Sequence, residues 1–160
     1  MRLMIAAVGR LKDGPERVLY QRYAERIGPA GRSVGLGPPD LIEIAESRAG
    51  SAKVRADEEA QRLLGKCEAA QFRVVLDERG RQLSSAAFAN AIRDARDRSV
   101  GEAAFLIGGP DGHGPAARDA ADLLLSISQM TLPHGLARIV LAEQLYRAVT
   151  ILAGHPYHRP

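Results

Sequence analysis

The 160-residue chain is 46% hydrophobic and 26% charged, the size and balance of one domain with a buried core rather than a disordered or fibrous protein. Aromatic residues make up only 4%, with no Trp, which leaves little for base stacking. The net charge of +3 permits an RNA or other anionic partner without demanding one. The single cysteine, Cys67, excludes a disulfide framework within the chain, and no apolar run approaches the roughly 18 residues of a membrane span.

In chain order, LMIAAVG (3–9) is a continuous apolar run closed by glycine, the pattern of a buried strand. It is too short for the core of a signal peptide, so a cytoplasmic protein is expected. A helix is predicted over 14–28, with Pro15 in its first turn and Gly28 after its end. Residues 28–40, rich in Gly and Pro, read as a mobile loop. LIEIA (41–45) suits a strand. Residues 52–70 suit a helix, with Glu58 and Arg62 spaced for an i,i+4 pair. Cys67, at the tail of that helix, reads as a structural thiol.

FRVVLDERG (72–80) reads as a strand running into a turn. Residues 84–99 read as a helix capped by Ser84 or Ser85. AAFLIGG (103–109) is a strand ending on paired glycines, 115–122 a short helix, LLLSIS (123–128) a fifth strand and 134–153 the last helix. Strands alternating with helices in this way point to a single α/β domain with a mostly parallel sheet flanked by helices. Ligands in such sheets sit at the carboxyl ends of strands. Here those ends read LDERG, IGGPDGHG and SISQMTLPHG.

Gly112 to Ala117 formally matches a G-x-G-x-x-A dinucleotide fingerprint. It follows the fourth strand rather than the first, and no acid stands about 20 residues on. It reads either as a tight turn or as a place where backbone amides approach a ligand. SISQMTLPH offers hydroxyls, an amide and free backbone groups at a strand end, a set suited to a neutral hydrogen-bonding ligand such as an adenine or a ribose. Thr131 as a helix cap is the competing explanation. In the last helix Leu141, Leu145, Val149 and Leu152 form a core or interface stripe. Glu143 and Arg147 are spaced as an intrahelical pair, and Arg138 and Arg147 fall on opposite faces. The tail GHPYHRP adds two His, a Tyr and an Arg. Metal ligation by His134, His155 and His158 lacks a supporting Cys or carboxylate, so no metal is expected.

The motifs FLIGGPDG and LSISQMTLPHGLARIVLAEQLYRAVTILAGHPYHR, together with MRLMIAAVGRLKD, LIEIAE and VVLDERG in order, resemble the RlmH family. These are ribosomal large-subunit pseudouridine methyltransferases, minimal members of the SPOUT class. The resemblance spans essentially the whole chain and weakens at 28–40. His113 stands where Leu is more usual, and Pro160 is an extra residue. The resemblance implies a C-terminal trefoil knot, a homodimer, S-adenosyl-L-methionine as cofactor, and methylation at N3 of a pseudouridine in 23S rRNA of the assembled ribosome, with no DNA or membrane partner. By similarity the cofactor contacts Leu76, Gly108, Gly109 and the run Ile127, Ser128, Gln129, Met130, Thr131 and Leu132.

The resemblance further suggests His134 or His158 as the group handling the N3 proton, with Tyr157 in the same tail. Arg138, Arg147 and Arg159 would hold phosphates or a developing anion, the last helix would supply the dimer stripe, and the tail would cover the second substrate across the dimer. Two rival functions are a nucleotide-dependent oxidoreductase built on the Gly112 fingerprint and a non-catalytic RNA-binding or assembly factor.

Overall fold

The structure, a computed structural model, describes residues 1–159. The two most continuous apolar runs form β1 (Arg2–Val8) and β4 (Glu102–Ile107), which are buried along their whole length apart from Arg2. They are neighbours in a five-stranded sheet completed by β2 (Asp40–Ile44), β3 (Phe72–Gln82) and β5 (Leu123–Ser126). The order is β2-β1-β4-β3-β5 and every pairing is parallel. Parallel strands need crossover helices, and these cover both faces. Helices α1 (Pro15–Gly31), α3 (Ser85–Asp97) and α5 (His134–Leu152) pack on one face. Helix α2 (Ala52–Lys66) packs on the other, with the short α4 (Pro115–Asp119) against it.

Local chemistry explains the boundaries. Ser51 and Ser84 cap α2 and α3 by accepting the N–H groups of Val54 and Ala87. Phe88, Ala89, Ile92 and Ala95 give α3 one apolar face. Cys67 is buried with its sulfur 3.8 Å from that of Met4, and burial pushes its thiol pKa up to about 11, as suits a structural residue.

The structure corrects several expectations. The segment 28–40 is not an open loop: α1 runs on to Gly31 and a 3-10 turn covers Arg32–Val34. The chain then folds back so closely that a β-carbon on Gly31 would stand 2.0 Å from the Leu36 carbonyl oxygen, whose residue is buried. Glu58 and Arg62 do not pair through their side-chain charges. Ser47 Oγ donates to Glu58 and Arg62 donates to the Ala45 carbonyl, so both serve the segment after β2, while Lys53 and Asp57 form the i,i+4 pair. Thr131 does not cap α5. Pro133 is its N-cap, without a side-chain bond. The stripe Leu141, Leu145 and Val149 is fully buried in the chain's own core, because α5 lies between the sheet, α1 and α3. A period of 3.6 residues cannot distinguish a chain's own core from a second chain.

Arg138 and Arg147 do fall on opposite faces of α5. Arg138 has no exposed surface. Its guanidinium donates to Glu43 Oε1 (2.7 Å), the Val8 carbonyl (2.6 Å) and the Gly9 carbonyl (2.9 Å). The expected phosphate-holding role therefore does not fit Arg138 in this chain, since its donors face the ends of β1 and β2. Removing one member of a buried ion pair strands the other charge. Arg138→Met is therefore expected to lower unfolding free energy by about 3–5 kcal/mol in urea titration. A loss below about 1 kcal/mol would show that Glu43 finds solvent without it.

Candidate functional site

The carboxyl ends of β3, β4 and β5 open onto one cavity of about 730 Å³, a volume suited to a nucleoside-sized ligand. Three segments form its wall. The first is the turn after β4. Gly112 has φ +74°, and its N–H donates to the Gly109 carbonyl at 3.0 Å. A β-carbon on Gly108 would stand 2.9 Å from the Gly112 carbonyl, so the turn closes only on glycine. An ion pair between Arg55 and Asp111 (2.6 Å) fastens this turn to α2.

The second segment runs from Ser126 to His134, outside any strand or helix except at its two ends. Ser126 Oγ donates to the Ser128 carbonyl, and the Met130 N–H donates to Ser128 Oγ, both at 2.9 Å. These bonds curl the loop on itself. Met130 stays 78% exposed at the rim.

The third segment is the end of β3. Asp77 accepts from Arg118 Nε (2.7 Å) and from the Arg79 N–H (2.9 Å). Burial alone would raise its pKa, but the Arg118 partnership and the Arg79 N–H outweigh that and hold the carboxyl below its usual range. Beside it lies His113, 4% exposed, with neither ring nitrogen in a hydrogen bond among the described residues. Burial lowers its pKa to about 4, against an opposing pull from Asp77, so the ring is neutral near pH 7.

The cavity wall contains Leu76, Gly108, Gly109, Ile127, Ser128, Met130, Thr131, Leu132 and His134, all of which the sequence pointed to. Gln129 is exposed and does not line it. The described tail residues do not line it either. Tyr157 donates from its hydroxyl to Glu143 (3.1 Å), its ring lies 4.6 Å from that of Tyr146, and the Arg147 guanidinium sits 4.8 Å above it. Arg147 Nε also donates to Glu143 at 3.0 Å, the expected intrahelical pair. Sequence reasoning singled out the end of β3 but not the partnership of Asp77, His113 and Arg118. These lie 36 and five residues apart, and only the β3–β4 pairing brings them together.

The family model described as predicted SPOUT methyltransferase matches residues 1–158. The chain belongs to this family. Among its curated relatives, ribosomal RNA large subunit methyltransferase H of Xanthobacter autotrophicus is 55% identical, and that of Brucella anthropi 51%. Each match covers 99% of both chains. Of solved structures, a probable methyltransferase from Bordetella pertussis superposes with a TM-score of 0.56 at 16% identity, covering 92% of this chain and 96% of that one. A probable methylase family protein from Haemophilus influenzae gives 0.55 at 12% identity, covering 99% and 70%. These distant likenesses concern the fold.

The protein is thus a methyltransferase, not an oxidoreductase. The Gly112 fingerprint folds as a turn followed by a helix of only five residues, α4. Among the described residues, no helix is long and apolar enough to cross a membrane.

The buried His113 gives a pH prediction. Its folded pKa lies below that of a free imidazole, so the unfolded chain takes up the proton first. Stability from this group is complete above about pH 6.5 and is lost as pH falls toward 4. Between pH 6.5 and 4.5 the protein is expected to lose roughly 2–3 kcal/mol more than His113→Leu does, measured by urea unfolding at each pH. Equal losses would mean that His113 charges freely in the folded state.

Proposed function

We propose that this methyltransferase uses S-adenosyl-L-methionine to methylate N3 of a pseudouridine in 23S rRNA of the large ribosomal subunit. It would act as a cytoplasmic homodimer with its C-terminal segment threaded as a trefoil knot. The observation that carries the reading is the meeting of the glycine turn 108–112 and the polar loop 126–134 across one cavity at the strand ends. The names of the full-length relatives support the rRNA substrate.

The residues present fit such a cofactor. Leu76, Ile127 and Leu132 give an apolar wall for a purine, and the glycine turn brings backbone where a side chain would block it. Ser128, Met130 and Thr131 supply main-chain groups and hydroxyls for a ribose and an amino-acid moiety, which makes backbone the principal recognition element. The bound cofactor supplies an electrophilic methyl group.

The chain must align the acceptor base and take its N3 proton. His134, half-buried on the cavity wall at the start of α5, is the residue of this chain placed to do so. Tyr157 has a different capacity. Burial and its bond to Glu143 push its pKa up to about 12, so it stays protonated and acts as a donor, not a base.

Tyr157 packs on Glu143 and Tyr146, roughly 14 and 18 Å along α5 from His134, with Arg147 against its ring and His158 and Arg159 following it. As placed, none of them lines this chain's own cavity. They serve the acceptor in a partner's cavity, which is the reason for a dimer. Its surface must come from faces of α1 and α5 not spent in the core, where Val18 and Leu136 are exposed.

Two experiments test the reading. Gly108→Val crowds the turn, and calorimetry is expected to show S-adenosylmethionine affinity lowered by more than about tenfold with the circular dichroism spectrum retained. Unchanged affinity would remove the cofactor from this cavity. Mixing Gly108→Val with a His158→Ala/Arg159→Ala double variant, each inactive alone, is expected to restore about a quarter of wild-type ribosome methylation, because half of the dimers then hold one intact composite site. No restoration would mean that each tail serves its own chain.

A further inference from the structure

Strand β3 outruns its neighbour. Its pairing with β4 ends at Leu76 opposite Ile107, yet the strand continues to Gln82. Beyond an irregularity after Leu76 it pairs again with β5, Arg81 opposite Leu125 and Gln82 opposite Ser126. The overhang is held at both ends. Asp77 accepts the Arg79 N–H and is itself tied to Arg118 on α4. Gly80 lies flat on β5, so close that a β-carbon there would stand 2.5 Å from the Leu125 carbonyl carbon.

On this fixed segment stand Arg79 and Arg81. Both are exposed, and neither guanidinium has a carboxylate or hydrogen-bond partner among the described residues. The contrast with the rest of the rim is informative. Arg118 is neutralised by Asp77, and Arg55 and Asp111 neutralise each other. Unpaired cations on a floppy loop would mean little. Here a glycine seat and a buried carboxylate hold the backbone that presents them at the cavity mouth.

We propose that Arg79 and Arg81 are a phosphate-contact pair that seats the RNA backbone as the target base enters the cavity. The proposal rests on the rRNA substrate proposed above and names the residues that position it. The alternative anion is the carboxylate of the cofactor's methionine moiety. It is disfavoured because Arg79 lines the cavity and Arg81 does not, so a ligand enclosed there meets only one of the two. Two residues apart along the chain, Arg79 and Arg81 have backbones at most about 7 Å apart, within reach of successive phosphates of one strand. Glu78, exposed and on the cavity wall beside Arg79, disfavours an anion that meets Arg79 alone.

The test is equilibrium binding of the full chain to purified large ribosomal subunits lacking the methyl group, over a range of KCl concentrations. Each phosphate contact contributes roughly 0.7–0.9 to the slope of log affinity against log salt. Arg81→Gln is expected to reduce the slope by about that amount, and Arg79→Gln/Arg81→Gln by about twice it. The paired Lys variant is expected to keep the wild-type slope. Calorimetry with S-adenosylmethionine separates the two anions. Affinity within about twofold of wild type in Arg81→Gln supports an RNA contact. An unchanged salt slope in the double variant overturns the proposal, as does a tenfold loss of cofactor affinity in Arg79→Gln. A wild-type protein that binds no ribosomal subunit would instead sink the rRNA substrate on which the proposal rests.

Discussion

A guanidinium with no access to water must find its partners in the protein, and the two terminal nitrogens of Arg138 find theirs on two strands at once, while its Nε has none among the described residues. Glu43 supplies the charge from β2, while Val8 and Gly9 supply carbonyls from the end of β1. The same Glu43 carboxylate accepts the Leu11 N–H at 2.7 Å and stands 3.9 Å from Arg17. One buried ion pair therefore joins α5, both strands of one sheet edge, and the start of the β1–α1 connection. Such pairs contribute little net stability compared with apolar packing, but they fix register. Here the register fixed is that of α5. His134 lies one helical turn before Arg138, and its Nε2 lies against Gly9, where a β-carbon would come within 3.4 Å of it. Arg138 thus sets how the helix presents its first residue to the cavity, which makes it a positioning residue rather than a ligand contact.

The rest of the site follows from a similar economy of side chains. The cavity wall is made mostly of turn and loop backbone, held from behind by charged pairs: Arg55 with Asp111 on one side and Asp77 with Arg118 on the other. A wall of this kind suits a ligand recognised by shape and by main-chain hydrogen bonds. The aromatic and basic groups that a nucleic acid would require stand elsewhere, on the β3 overhang and around Tyr157. Helix α5 is the spacer between them. It runs through the core from His134 at the cavity to Leu152, and the chain beyond it folds back so that Tyr157 packs on Tyr146 and Glu143.

Much of this was legible in the sequence, and the parts that were not share a cause. The strands β1 and β4 announce themselves because a parallel strand buried on both faces has no polar alternation to confuse it. The glycine turn and the SISQMTLPH loop were legible because strand ends in α/β sheets are where ligands bind. Arg138 misled because an arginine spaced nine residues from Arg147 looks as free as its neighbour. Only the tertiary position of Glu43, 95 residues away, shows that it is consumed. The stripe on α5 left core and interface both open for the same reason, since its period is blind to whose core it fills, and the structure decides for the core. The partnership of His113 with Asp77 was not legible because it exists only once β3 lies beside β4. The Gly/Pro segment after residue 28 read as loose because composition does not reveal that Gly31 lies against Leu36.

The most direct test of the account is to incubate the purified protein with large ribosomal subunits lacking the modification and isotopically labelled S-adenosylmethionine, then digest the 23S rRNA to nucleosides and identify the labelled product by mass spectrometry. The account predicts label in a single nucleoside, pseudouridine methylated at N3. Label in another nucleoside, or none in rRNA while the cofactor binds, would contradict it.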